Sequence, residues 1–156
     1  EISIIYENDK ILLNGKSVGR EIRSTRVADN VSTVAKMAVV RHKMVELQQK
    51  AAQHGKIIMD GRDIGYVVLP NANVKIFLTA SVEERAKRRF LENQLAGKKE
   101  TYEEILENII SRDFKDSNRD LNPLRQADDA ILLDTTIMNI DEVVSEIVRI
   151  IKERLN

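Results

Sequence analysis

The chain has 156 residues, 42% of them hydrophobic, which is enough for one domain with a core and too few for two comfortable ones. Lys and Arg number 25 against 25 Asp and Glu, so the basic footprint that nucleic-acid affinity draws on is missing. With no cysteine, two histidines (His42 and His54) and no apolar run near the ~18 residues of a membrane span, the sequence excludes disulfides and zinc chemistry and reads as a soluble, cytoplasmic protein with no membrane partner.

Ile2 to Tyr6, Lys10 to Leu13 and Lys16 to Val18 are strand-like runs joined by turns, one of them Asn14-Gly15, so a small meander is expected first. Residues 26 to 54 are helical, but their apolar stripe slips phase. Val27, Val31, Val34 and Ala38 form one series, and Val40, Met44, Leu47 and Ala51 another. Continuing the first series needs position 41 or 42, so a break near residues 37 to 40 is expected, with Gly55 ending the second helix. Three later runs read as buried strands: Lys56 to Met59, Val74 to Thr79 and Ala130 to Asp134. Capping boxes at Ser81 to Glu84 and Thr101 to Glu104 open two helices, separated by a loop at residues 96 to 100 that contains Gly97. Asn139 to Glu142 opens the last helix, whose inward face is expected to carry Val143, Val144, Ile147, Val148, Ile151 and Leu155. Buried strands alternating with helices predict an α/β fold with a parallel sheet.

In such sheets ligands bind beyond the carboxyl ends of the strands. The run IIMDGRDIG, residues 57 to 65, puts Asp60, Arg62 and Asp63 at one such end, either as a polar turn or as groups offered to a ligand. In SRDFKDSNR, Arg112, Asp116 and Arg119 are spaced i, i+4, i+7, and on a helix they form one stripe with a carboxylate between two guanidiniums. Arg85, Arg88 and Arg89 add three more guanidiniums on the helix capped by Ser81. Each group alone is a common salt-bridged surface. Six arginines near strand ends, Arg62 included, suit a phosphate-rich ligand, because the guanidinium fork matches phosphate oxygens.

DGRDIG, KIFLTASVEERAKRR and SRDFKDSNRDLNPLRQADDAILLDT resemble the signatures of the bacterial cytidylate kinase family, and NGKSVGREIRS resembles that family's nucleotide-monophosphate-binding insertion. The similarity runs from Ile11 to the C-terminus. It implies a P-loop nucleoside monophosphate kinase fold that transfers the γ-phosphoryl of ATP to CMP or dCMP with Mg²⁺. Residues 1–55 correspond to the insertion and residues 56–156 to the core, with a lid at about 85–120. Tyr66 stands where a smaller residue such as threonine is expected.

The resemblance also implies roles. Ser32, Arg41 and Asp63 contact the cytosine; Arg112, Asp116 and Arg119 hold the CMP phosphate and sugar, with Asp116 on the ribose; Arg85, Arg88 and Arg89 lie at the lid over the transferred phosphoryl. Asp60 sits in the metal's outer shell. The expected partners are small molecules, CMP or dCMP and ATP, for a monomeric protein that binds no nucleic acid. Such kinases cradle ATP phosphates in G-x-x-x-x-G-K-S/T, and Gly15-Lys16-Ser17 imitates its end, but the position of the earlier glycine is Lys10. The GKS is therefore expected to be a turn, and the family's P-loop, first strand and first helix are expected upstream of Glu1. A kinase for another nucleoside monophosphate and a non-catalytic nucleotide-binding fragment remain as alternatives.

Overall fold

A computed structural model describes residues 2–7, 10–19 and 21–155. It divides into two compact units, residues 1–42 and residues 43–156.

In the first unit, β1 (Ile4–Glu7), β2 (Lys10–Leu13) and β3 (Lys16–Ser17) form an antiparallel meander in which Ile4 pairs with Leu13 and Leu13 with Lys16. Asn14 and Gly15 both have positive φ, 50° and 80°, as the tight turn between β2 and β3 demands. Gly15-Lys16-Ser17 is thus a hairpin turn running into a strand, and among the described residues no helix begins directly at Ser17 to gather phosphate-binding amides. A 3-10 turn, Glu21–Arg23, leads into α1 (Thr25–Ala35), capped by the Ser24 hydroxyl accepting from the Val27 amide. α1 stops there and α2 (Ala38–Ala52) begins after Lys36 and Met37, where the phase slip in the stripe requires a break. Val27, Val31 and Val34 remain exposed.

The second unit holds the core: Val68, Ala80, Ala86, Ile105, Ala127, Leu133 and Ile150 are buried. β4 (Ile76–Thr79) and β5 (Ile131–Asp134) pair in parallel, from Ile76 with Ile131 to Thr79 with Asp134. α3 (Val82–Leu95) follows β4, α4 (Tyr102–Ser117) follows α3, and α5 (Ile140–Leu155) follows β5. The Thr101–Glu104 capping box forms as the sequence predicts, and Asn139 and Glu142 exchange reciprocal bonds at the head of α5. At Ser81 only half of the expected box forms, because the Ser81 amide donates to Thr136 and the Glu84 carboxylate is taken by Arg88. α3 and α4 pack as a helical hairpin, with Phe90 edge-on to Tyr102 at 6.3 Å and Arg85 joined to Asp113 at 2.7 Å.

Two expectations need correction. Residues 56–60 form no strand, and Ile58 is 94% exposed. A strand exists only where a neighbour takes its backbone donors and acceptors, and no described strand pairs with this run. Asp60 therefore lies in an exposed irregular segment and ends no strand. In α5, only part of the apolar arc turns inward: Val143, Ile147, Ile150 and Ile151 are covered, while Val144, Val148 and Leu155 stay exposed. The arc is wider than the described surface available to cover it.

One element has no sequence signature. Residues Ile64–Val68 form a single π-helical turn, in which the Asp63 carbonyl accepts from the Val67 amide at 2.9 Å and the Leu69 amide donates to Ile64 at 2.7 Å. Gly61 opens this turn, because a Cβ there meets the Ile64 side chain at 2.8 Å.

Candidate functional site

The carboxyl ends of β4 and β5 are locked together by side chains. The Thr136 hydroxyl accepts from the Ser81 amide at 2.9 Å, and the Thr136 amide and hydroxyl donate to Asp134. Those two donations hold the Asp134 carboxyl below the usual aspartate range. The buried Thr135 hydroxyl donates back across the sheet to the Thr79 carbonyl.

The three arginines of α3 have separate tasks in this frame. Arg85 donates to the Ala80 carbonyl at 3.0 Å and pairs with Asp113 of α4. Arg88 makes four bonds: it donates to Glu84, to the Thr135 hydroxyl and carbonyl, and to the Met138 carbonyl, clasping α3 to the segment after β5. Arg89 pairs with Glu92 on the exposed face of its own helix.

The stronger cluster lies at the end of α4. Asp116 is buried, and its Oδ2 stands 3.1 Å from Nε of Arg62 and 3.8 Å from Nε of Arg112. Neither approach has hydrogen-bond alignment, so charge holds the group together. Arg112 and Asp116 are i, i+4 neighbours on the helix, as their spacing predicts. Arg119 is not on that stripe, which corrects the sequence reading: α4 ends at Ser117 with Asn118 as its cap, and Arg119 falls in the loop beyond. Its Nε donates to the Asn122 carbonyl, while its Nη2 is buried with no hydrogen-bond partner among the described residues.

The loop is closed by the Leu124 amide donating to the Asp116 carbonyl at 2.7 Å, with Asn122 at a φ of 53° before Pro123. The π-helical turn docks on it. The Tyr66 hydroxyl donates to the Pro123 carbonyl, and the Arg125 guanidinium lies 4.6 Å above the Tyr66 ring. Lys75 completes the seam by donating to the Pro70 carbonyl and to both oxygens of Asp129, whose carboxyl it holds below the usual range.

The structure thus brings together two sequence motifs about fifty residues apart, DGRDIG and SRDFKDSNR, through Arg62 and Asp116. Asp63, beside Arg62, is buried at the head of the π-helical turn. Arg41, near the start of α2, is half-buried, and Ser32 lies within α1 with its side chain outside the described residues. Sequence reasoning missed Asp113, Tyr66 and Arg125. The Asp113-to-Arg85 pairing had only the weak signal of a carboxylate beside Arg112; Tyr66 had the signal of an unexpectedly large residue after DIG.

Among the described residues, no group of three or more His, Asp or Glu side chains could hold a metal ion, and no described helix is long and apolar enough to cross a membrane.

A parallel β–α unit whose connecting segments collect guanidiniums around a buried carboxylate is an α/β domain suited to phosphorylated ligands. The family model for cytidylate kinase matches residues 1–153, and the chain belongs to that family. It is 52% identical over 145 residues to the cytidylate kinase of Lactobacillus johnsonii, covering 93% of this chain and 63% of that protein. It is 46% identical over 154 residues to that of Thermosipho melanesiensis, covering 99% and 71%. Against that of Limosilactobacillus reuteri it is 54% identical over 158 residues, covering 98% and 69%. The chain therefore spans roughly two thirds of the length of these relatives, from 63% to 71%.

Proposed function

We propose that the chain carries the acceptor side of a (d)CMP kinase, which transfers the γ-phosphoryl of ATP to CMP or dCMP in the cytoplasm. One observation carries this reading: the buried Nη2 of Arg119, without a hydrogen-bond partner among the described residues, on the loop that directly follows the helix end carrying the charge cluster of Asp116, Arg62 and Arg112. A buried donor without an acceptor costs about 1–3 kcal/mol, and a phosphate or ribose oxygen of the acceptor nucleotide removes that cost. In this reading Arg112 and Arg119 hold the CMP phosphate and Asp116 accepts from the ribose.

Base recognition falls to Ser32, Arg41 and Asp63. Cytosine offers an amino donor to a carboxylate and acceptors at N3 and O2 to a guanidinium, and uracil reverses the first of these and protonates N3. Residues 1–55 act as the acceptor-binding insertion and about 85–120 as the lid. Arg85 and Arg89, each with a single carboxylate partner, can turn to the transferred phosphoryl more readily than Arg88, which is tied by four hydrogen bonds. The described residues do not fit Mg²⁺ as a protein-held ion. Mg²⁺ accompanies ATP on the phosphates, with Asp60 at most in its outer shell.

The test is ATP-dependent diphosphate formation by the protein at the full length of its relatives, with CMP, dCMP, UMP and AMP as acceptors. CMP and dCMP are expected to be preferred, and Arg119→Ala is expected to lower kcat/KM for CMP by about 10- to 100-fold with little change in Tm. Equal use of UMP or AMP overturns the substrate assignment. An Arg119→Ala protein with full activity and a lowered Tm overturns the role of Arg119.

A further inference from the structure

The cluster at the end of α4 depends on a loop with little regular structure. Between the cap at Asn118 and Ala127, the described backbone bonds that tie it down include the Leu124 amide to the Asp116 carbonyl and the Ala130 amide to Ala127. Asn122 holds a left-handed φ that non-glycine residues adopt at a cost, and its carbonyl is the acceptor that orients Arg119. Such a carbonyl is a reliable anchor only if the peptide after it is fixed.

The next carbonyl, that of Pro123, accepts from the Tyr66 hydroxyl, and two residues further on Arg125 stacks over the same tyrosine ring. One side chain therefore grips the loop at two points, by a hydrogen bond and by a cation–π contact. The tyrosine is itself seated in the π-helical turn, in which the preceding residue, Gly65, lies against Lys75 and Ala127. Nothing in phosphoryl transfer requires a phenol here. Its position explains it instead: it spans from the Asp63 turn to the Arg119 loop.

We propose that Tyr66 is a positioning residue for acceptor binding, which acts by fixing the Asn122–Pro123 carbonyls and hence the guanidinium of Arg119. This rests on the reading of Arg119 as a contact to the acceptor nucleotide. Tyr66→Phe deletes the hydroxyl donor and keeps the ring under Arg125; Arg125→Gln deletes the stacked cation and keeps the hydroxyl.

The experiment is calorimetric titration of CMP into the wild-type protein, Tyr66→Phe, Arg125→Gln, Arg119→Ala and the double variant Tyr66→Phe/Arg119→Ala, at the full length of the relatives. Tyr66→Phe is expected to weaken CMP about 3- to 10-fold, Arg125→Gln by less, and Tyr66→Phe to add nothing once Arg119 is alanine. Hydrogen exchange at the Leu124 amide should be several-fold faster in Tyr66→Phe than in wild type. Unchanged CMP affinity in Tyr66→Phe, or an equal loss with and without Arg119, overturns the proposal and leaves Tyr66 as a packing residue. Wild-type protein that does not bind CMP overturns the functional reading. The grip of Tyr66 on the loop is then decided by the Leu124 amide, and unchanged protection there overturns it too.

Discussion

Replacing Asp116 with asparagine keeps the shape of the side chain and removes its charge from between two guanidiniums. At an effective dielectric of ~20, a unit charge pair is worth about 5 kcal/mol at the 3.1 Å of Arg62 and about 4 kcal/mol at the 3.8 Å of Arg112. Those are gross attractions. The Arg62 side chain is 40% exposed and that of Arg112 57%, so solvent screening and side-chain entropy cut each pair to about 1 kcal/mol or less. The Asp116 side chain itself is 11% exposed and gives back part of its desolvation when it becomes an amide. The expected net loss in stability is about 1–2 kcal/mol, or ~2–6 °C in Tm for a chain of this size. Binding should suffer more, because a charged hydrogen bond to the ribose is worth about 1.5–3 kcal/mol, so CMP affinity should fall ~10- to 100-fold. Differential scanning fluorimetry and calorimetric titration on the same preparation measure both. A variant that melts several degrees lower yet binds CMP as well as wild type shows that Asp116 is a strut between arginines and refutes the ribose contact.

Asp63→Ala should lower kcat/KM for CMP far more than for UMP, at roughly 1–3 kcal/mol for each mismatched polar group; an equal fall for both shows that Asp63 supports its turn and does not read the base. Arg88→Gln should lose about 1.5–3 kcal/mol of stability, because the carbonyls of Thr135 and Met138 lose a charged donor, while Arg89→Gln should stay within about 0.5 kcal/mol of wild type. Matching thermal melts for the two variants would show that the Arg88 clasp contributes nothing. Asp129→Asn should lower Tm at pH 7, since Lys75 depresses the folded pKa of Asp129 and this stabilisation is present above the unfolded value of ~3.9 and fades as pH falls through the lower folded one. The gap between variant and wild-type Tm should begin to narrow below about pH 4 and close only as pH falls through the lower folded value; a gap that widens in acid contradicts the ion pair.

Local chemistry was legible wherever it sufficed. The hairpin at Asn14-Gly15, the caps at Ser81, Thr101 and Asn139, and the break between α1 and α2 each depend on residues within a few positions of one another. The parallel strands ending at Thr79 and Asp134 were legible for the same reason, as short apolar runs bounded by turns. The apolar run at residues 56–60 passed the same local test and failed, because being a strand is a property of a pair, and a run of isoleucines carries no information about its partner. Arg119 left the helical stripe because the chain turned at Asn118 before its spacing could apply.

The site divided along the same line. Which residues carry charge, and that guanidiniums outnumber what a plain surface needs near the strand ends, is written in the order of amino acids. Which guanidinium meets which carboxylate is decided by packing alone. Arg85 went to Asp113, Arg88 to the Thr135 and Met138 carbonyls, and Arg62 to Asp116 across more than fifty positions of chain. Sequence sets the inventory of donors and acceptors because each side chain brings its own chemistry. Only the folded backbone sets their distances, and ion pairs and hydrogen bonds weaken over a few ångströms, so the partners, and the burial of the Arg119 Nη2 without a hydrogen-bond partner among the described residues, could be known only from the tertiary structure.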